Sequence, residues 1–381
     1  MRRGERSEDF CGGIAEKVTT LLNGGRAAAP LFFAMKQTAY QNLSRYRPEL
    51  MGLAILWVML FHAYQFHFYI PLLDAVKESG FAGVDIFILL SAMGLYVSRI
   101  RAGEDFSLSA FYRRRAMRIL PTYWLVVGIY SLWLVLRRSI HWSAMLWSLS
   151  TLHYWFRIPD TFNWYVPAIL AFYLISPLCI RLFRRCPYKG ALTALMFPAS
   201  YGLYRLSIPL HLNYTEDFLC RIPAFALGLF MGHCLVSKQR LTPRHALCWS
   251  GGAALGVLLA YLRMTNRFYI NPCYIIGLLL GPIVLLFAKG LDLLPGDYLR
   301  RLLRLLGEAS FEIYLLNVIV TREFAVLSPY LDFGPRHAFY YFVVYSGNIL
   351  LGLFLHRILH RRRTDGKSNA ALHIPAATGR H

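Results

Sequence analysis

Phe111-Tyr-Arg-Arg-Arg-Ala-Met-Arg-Ile-Leu-Pro-Thr-Tyr-Trp-Leu-Val-Val-Gly-Ile-Tyr-Ser-Leu-Trp-Leu-Val-Leu136 decides the fold. Its second part, residues 119–136, runs for 18 residues without a charge. As a helix it would be about 27 Å long, close to the thickness of a bilayer's hydrocarbon core. Four arginines, Arg113, Arg114, Arg115 and Arg118, stand directly before it. A basic flank beside an uncharged span is how a transmembrane helix is oriented, with the flank left on the cytoplasmic side.

The same pattern recurs along the 381 residues. Stretches long and apolar enough to cross a membrane lie at about 50–70, 80–98, 119–136, 164–180, 190–207, 220–237, 245–262, 270–288, 306–326 and 338–356. Residues 139–158, rich in Trp142, Trp147, Tyr154 and Trp155, read instead as an interfacial segment. The composition agrees: 56% hydrophobic, 16% charged and a mean hydropathy of +0.42. Soluble chains are about 45–50% apolar and about 25% charged. A disordered protein and an ordinary cytosolic enzyme are thereby excluded. The seven cysteines are scattered with no C-x-x-C spacing, which argues against both a zinc site built on them and a disulfide framework.

The net charge of +21 invites a nucleic-acid partner until the bases are located. With the N-terminus in the cytoplasm, 31 of the 41 Lys and Arg fall in the two tails and the alternate loops on that side. The charge is therefore mainly topology. Nucleic acid drops out as a partner, and the lipid bilayer takes its place. The expectation is an all-α integral membrane protein, a bundle of about ten transmembrane helices with both termini cytoplasmic. Residues 1–43 form a dispensable cytoplasmic tail without an export signal, in which Met35 offers a second start. Residues 44–358 form the transmembrane domain, and 359–381 a basic, disordered tail. Gly228/Gly232, Gly252/Gly256 and Gly277/Gly281 mark close helix packing.

Ionisable side chains within spans are costly and are functional candidates by default. His62 lies roughly 15–18 Å in from the cytoplasmic end of the first span. An imidazole there can take and return a proton near neutral pH, or can be a hydrogen-bonded packing residue. Asp85 opens the second span at a compatible depth. It can fix the tautomer of His62 across the hairpin, or cap a helix at the membrane edge. Arg115 and Arg118 share one helical face before Pro121. Their guanidiniums suit a phosphorylated cytosolic ligand, with a lipid-contacting flank as the other reading. Glu308 and Glu312 share a face at the start of the ninth span, with Asn317 deeper. They are either a second polar lining or interhelical hydrogen bonds.

These groups, in this order, resemble acyltransferase family 3, the bacterial multispan enzymes that O-acylate surface carbohydrates. The resemblance covers about residues 44–358. It rests on Tyr46-Arg47 with Leu50-Met51-Gly52 and Phe61-His62, on Gly83-Val-Asp85-Ile-Phe-Ile-Leu-Leu-Ser91, and on Phe111-Tyr-Arg-Arg-Arg-Ala-Met-Arg-Ile-Leu-Pro121. Trp164-Tyr-Val-Pro167 with Phe172-Tyr-Leu174 and Pro177, and Leu306-Gly-Glu-Ala-Ser310 with Ile313-Tyr-Leu315, complete it.

The resemblance implies a plasma- or inner-membrane enzyme with no tightly bound cofactor. It implies a cytosolic acyl-CoA donor, usually acetyl-CoA, and an acceptor hydroxyl on a glycan or lipid-linked sugar. His62 falls on the family's catalytic histidine, and Arg115 and Arg118 on the pair associated with the donor. The chemistry calls for no metal. Where the family has an arginine eleven residues before the histidine, this chain has Met51, and Arg47 one turn earlier is the candidate replacement. Asn317 stands where a histidine is frequent. A lipid-linked-sugar flippase using His62, Asp85, Glu308 and Glu312 as a proton relay is the rival from another class, and a catalytically inactive relative is a third reading.

Overall fold

A computed structural model of the chain describes residues 38–64, 66–159, 163–327 and 337–371. The expected tail through residue 37, with its Met35 start, lies outside the described residues, as does the end of the expected C-terminal tail from residue 372. Every regular element among the described residues is helical.

Helix α1 (Ala39–Arg45) starts at a capping box in which Thr38 and Gln41 satisfy each other's backbone N–H groups. Helix α2 (Arg47–His62) follows, with Pro48 in its first turn where the missing N–H costs nothing. It ends at His62, eight residues short of the span expected over 50–70. The Ala63 N–H turns back to the Leu60 carbonyl, and the Asp74 carboxylate takes up the Phe68 N–H at 2.9 Å, so the helix ends at His62. Hydropathy carried the expectation onward because no Gly or Pro interrupts the sequence before Pro71.

A short helix α3 (Pro71–Glu78) leads into α4 (Ala82–Ala102), which stops at Gly103 with φ +51°, a conformation only glycine adopts cheaply. Ser107 caps α5 (Leu108–Leu136) by accepting from the Ala110 N–H. Helix α6 (Trp142–Ser150) folds back on α5, where Tyr123 and Trp124 donate to the Ser148 and Leu149 carbonyls at 2.8 and 3.0 Å.

Beyond it come α7 (Tyr165–Arg185), α8 (Lys189–Ser207), the single turn α9 (Glu216–Leu219) and α10 (Ile222–Val236). Thr242 caps α11 (Pro243–Met264) and Asn271 caps α12 (Pro272–Leu293). The last three helices are α13 (Tyr298–Glu308), α14 (Ser310–Leu327) and α15 (His337–Ala371). Helix α15 is described as far as Ala371.

Among the described residues, seven helical stretches are long and apolar enough to cross a membrane, centred on α4, α5, α7, α10, α11, α12 and α15. The other three expected spans also fold as helices, but α2 has 16 residues, α8 mixes Ser, Thr, Tyr and Arg into its length, and α14 carries Glu312, Arg322 and Glu323. Large apolar side chains stand exposed along the outer faces, among them Ile129, Leu178, Leu247, Val257 and Phe354. Surface of this kind is what lipid covers, and water would penalise it.

Helix α4 is the axis of the bundle, with Ile86, Ile88, Leu89, Leu90 and Ala92 fully buried. Helix α10 lies directly on it: a side chain at Gly228 would strike the Leu89 carbonyl, as the small-residue spacing implied. The amphipathic α13 crosses α2 just as closely, with Gly307 against the Pro48 carbonyl and Gly52 against that of Leu303. That crossing is locked by the Arg304 guanidinium, which donates from Nε (3.0 Å) and Nη2 to Oε1 of the fully buried Glu49. The chain breaks at Ala309, so Glu308 and Glu312 belong to different helices and share no face. Glu308 is exposed and Glu312 buried.

Candidate functional site

Two cavities meet at one side chain, Tyr314 of α14, which is 5% exposed and lines both. Its hydroxyl donates to Asn163 Oδ1 at 3.3 Å. The first cavity is walled by Met51, Ser91, Arg118, Tyr165, Tyr173 and Ser310. The second, of about 300 Å³, holds His62 with Phe61, Trp164, Arg221 and Cys273. Helices α2, α4, α7 and α14 therefore line two neighbouring cavities, one walled by Arg118 and the other by His62 and Arg221.

His62 is the last residue of α2, and its imidazole is partly buried. Nδ1 lies 2.9 Å from the Val58 carbonyl and 3.0 Å from the side-chain amide of Asn317. A carbonyl accepts and never donates, so the Val58 contact requires the proton on Nδ1. The structure places Asn317 Nδ2, itself a donor, against Nδ1, and a half-turn of the amide puts Oδ1 there instead, as an acceptor for the Nδ1 proton. That orientation satisfies Oδ1, which has no other partner, within a residue that is 0% exposed. With the proton on Nδ1, Nε2 is left as the acceptor, and an imidazole in that form can take up a proton.

Asp85 is not brought to His62. Its carboxylate, 1% exposed on the first turn of α4, faces Arg221, with Oδ1 at 3.8 Å from Nε. Nor does it cap α4, whose N-cap is Phe81 without a side-chain hydrogen bond. The spacing argument placed Asp85 at the right depth, but depth does not fix the face, and this one turns toward α10. Arg221 donates to the Asp217 carbonyl at 2.8 Å and lies 4.3 Å over the Trp164 ring. It is 3% exposed, and nothing local in the sequence singles it out as a candidate. The available signal was a buried-type acid, Asp85, with no sequence-local base to neutralise it.

The arginines do assemble. Arg47 lies close enough to Arg115 and Arg118 for the three positive charges to oppose one another, with Tyr173 beside them. Its guanidinium rests against Gly94 of α4. Arg115 stands between the Phe111 and Tyr173 rings, 5.5 and 5.8 Å away. The buried Nε atoms of Arg47 and Arg115 have no hydrogen-bond partner. No ion pair joins any of the three to a carboxylate among the described residues. Clustered guanidiniums without counter-charge are suited to a phosphate or another anion. Arg113 and Arg114 are exposed, as is Arg118, while Arg115 is half-buried. A wider cleft at the same ends of α4, α5 and α7 is lined by Arg99, Arg181, Arg184 and Arg185 with Phe106 and Tyr112.

A family model described as an acyltransferase domain matches residues 50–364. No curated protein and no solved structure matches the chain.

Proposed function

Because the chain belongs to acyltransferase family 3, we propose that this multi-pass membrane protein moves an acyl group, acetyl in the simplest case, from cytosolic acyl-CoA to a hydroxyl of a cell-surface or lipid-linked glycan. The observation that carries the proposal is the pair of cavities meeting at Tyr314, one at Arg118 and one at His62. A donor and an acceptor arriving from opposite sides of a membrane need such an arrangement.

In this reading the CoA phosphates dock on Arg47, Arg115 and Arg118, and Arg47 supplies the positive charge that Met51 lacks. The pantetheine arm points along the first cavity and carries the thioester toward Tyr314. His62 Nε2 removes the proton as the acceptor oxygen attacks the thioester carbonyl. The C–S bond breaks, and the CoA thiolate recovers that proton from the imidazolium. General-base assistance contributes about 10²–10⁴-fold, and holding the two substrates in register supplies much of the rest. Asp85 works indirectly, by neutralising Arg221 in the acceptor cavity wall.

The proposed topology is ten crossings with both termini in the cytoplasm, in the plasma or inner membrane. It is supported by the bias of Lys and Arg to one side and by a helix at each expected span. The short α2 is flanked by other helices along its whole length, so it needs no full hydrocarbon length of its own.

The donor assignment has a direct test. Arg115→Ala combined with Arg118→Ala should raise the KM for acetyl-CoA in membranes at least tenfold and leave the KM for acceptor near its starting value. An unchanged donor KM would remove the arginines from that role. The tautomer assignment has another. Asn317→Leu should lower kcat on the order of 10²-fold, less than the about 10⁴-fold that a mis-set tautomer costs in a Ser-His-Asp site, with the donor KM unmoved. Asn317→Asp, which keeps an acceptor facing Nδ1, should restore most of the rate. Equal activity in Asn317→Leu would show that Val58 alone orients the ring.

A further inference from the structure

We propose that Glu312, His356 and His360 form a binding site for a divalent transition-metal ion, zinc in the first instance, that pins α15 to α14 beside the candidate donor cavity. None of the three takes part in the acyl-transfer chemistry above.

The site grows out of helix periodicity. Asn348, Gly352, His356 and His360 recur every four residues and so mark one stripe of α15. The stripe faces α14: a side chain at Gly352 would run into Ile313. The two helices are therefore in close approach one turn before His356. Glu312, next to Ile313, is 2% exposed, and its Oε2 lies 3.2 Å from His356 Nδ1. The His356 and His360 rings stack with centroids 4.5 Å apart. One ligand atom from each of the three residues falls within 4.8 Å of the other two. Metal–nitrogen and metal–oxygen bonds of about 2.0–2.2 Å need ligand atoms roughly 3.3–3.6 Å apart. Small rotations of the two imidazoles close that gap.

The donor chemistry points to the ion. Two imidazoles and one carboxylate from three side chains are a set that zinc accepts, with a fourth position left for water. Calcium and magnesium prefer an all-oxygen shell. A buried carboxylate needs a cationic partner, and the group facing Glu312 Oε2 is the His356 imidazole, 3.2 Å away. A bound dication supplies that charge.

The position gives the site a consequence. Ser310, Phe311 and Tyr314 on α14 line the Arg118 cavity, while Glu312 lies between them on another face of the same two turns. An ion at Glu312 fixes the register of α15 against these residues and so steadies one wall of that cavity.

The test uses full-length protein, purified in detergent through a tag without histidines, stripped with chelator and dialysed against zinc. Elemental analysis should return about one zinc per chain, and zinc titration should raise the thermal unfolding midpoint. Cobalt as a substitute should give the visible absorption bands of a low-symmetry site. Glu312→Gln and the His356→Ala/His360→Ala pair should each weaken zinc binding at least tenfold, while His233→Ala on α10 retains it. Stripped wild-type protein that takes up no zinc at micromolar concentration would overturn the proposal. Full stoichiometry and unchanged affinity in the double-histidine variant would overturn it equally. If either variant fails to fold, the wild-type stoichiometry and the cobalt spectrum still decide.

Discussion

His62→Ala sharply lowers transfer from acetyl-CoA while the protein still folds and inserts. The expected loss is about 10²–10⁴-fold, the range that general-base assistance contributes. Truncation leaves the far end of α2 intact, since His62 is its last residue and its imidazole caps nothing but the Val58 carbonyl and the Asn317 amide. Donor binding should survive, because Arg118 walls the neighbouring cavity and not the one that holds His62. A membrane assay with labelled acetyl-CoA, scaled to the amount of protein in the membrane, reads the loss. Turnover within a factor of a few of wild type would mean that the hydroxyl is deprotonated elsewhere, and the tautomer argument built on Asn317 would fall with it.

The largest effect on stability falls at Arg221. Arg221→Met leaves Asp85, at 1% exposure, without its counter-charge. Removing one partner of a buried ion pair costs about 3–5 kcal/mol, mostly for the charge left behind. Loss of the Trp164 stacking adds to it. The variant should lose most of its folded yield and unfold at markedly lower temperature in detergent. Adding Asp85→Leu should recover much of the loss, since replacing both charges removes the uncompensated one. A thermal unfolding series across the two single variants and the double variant measures the coupling. Arg221→Met that matches wild type would show that Asp85 is held in its neutral form, and that the pair is not what closes α10 onto α4.

Much of this molecule is legible in one dimension, for identifiable reasons. Bilayer thickness sets a length that a run such as 119–136 meets by itself, and the arginines before it orient it without reference to any other helix. The close packing at Gly228 is visible because small residues four apart have few other uses in lipid. The ends of α2 and α14 were misread because hydropathy does not report where a backbone N–H finds a different partner. Asp74 takes up the Phe68 N–H, and the break at Ala309 separates Glu308 from Glu312. Side-chain partnerships were the least legible. Asp85 and His62 sit at matching depth, yet each is claimed by a residue more than a hundred positions away, Arg221 and Asn317. Glu49, in a span's first turn, gave no sign that Arg304 of α13 would reach it. The arginines before Pro121 stand out locally as a cluster, and there the structure brings Arg47 to Arg115 and Arg118.

The central claim is acyl transfer from a cytosolic thioester to a glycan hydroxyl. Mass spectrometry of surface polysaccharides and lipid-linked sugars, from cells with wild-type protein, with His62→Ala and with none, tests it most directly. The account predicts one glycan heavier by a single acyl group in the wild-type sample alone, with label from acetyl-CoA entering that glycan in isolated membranes. Identical glycan masses in all three samples, with no label transferred, would contradict it.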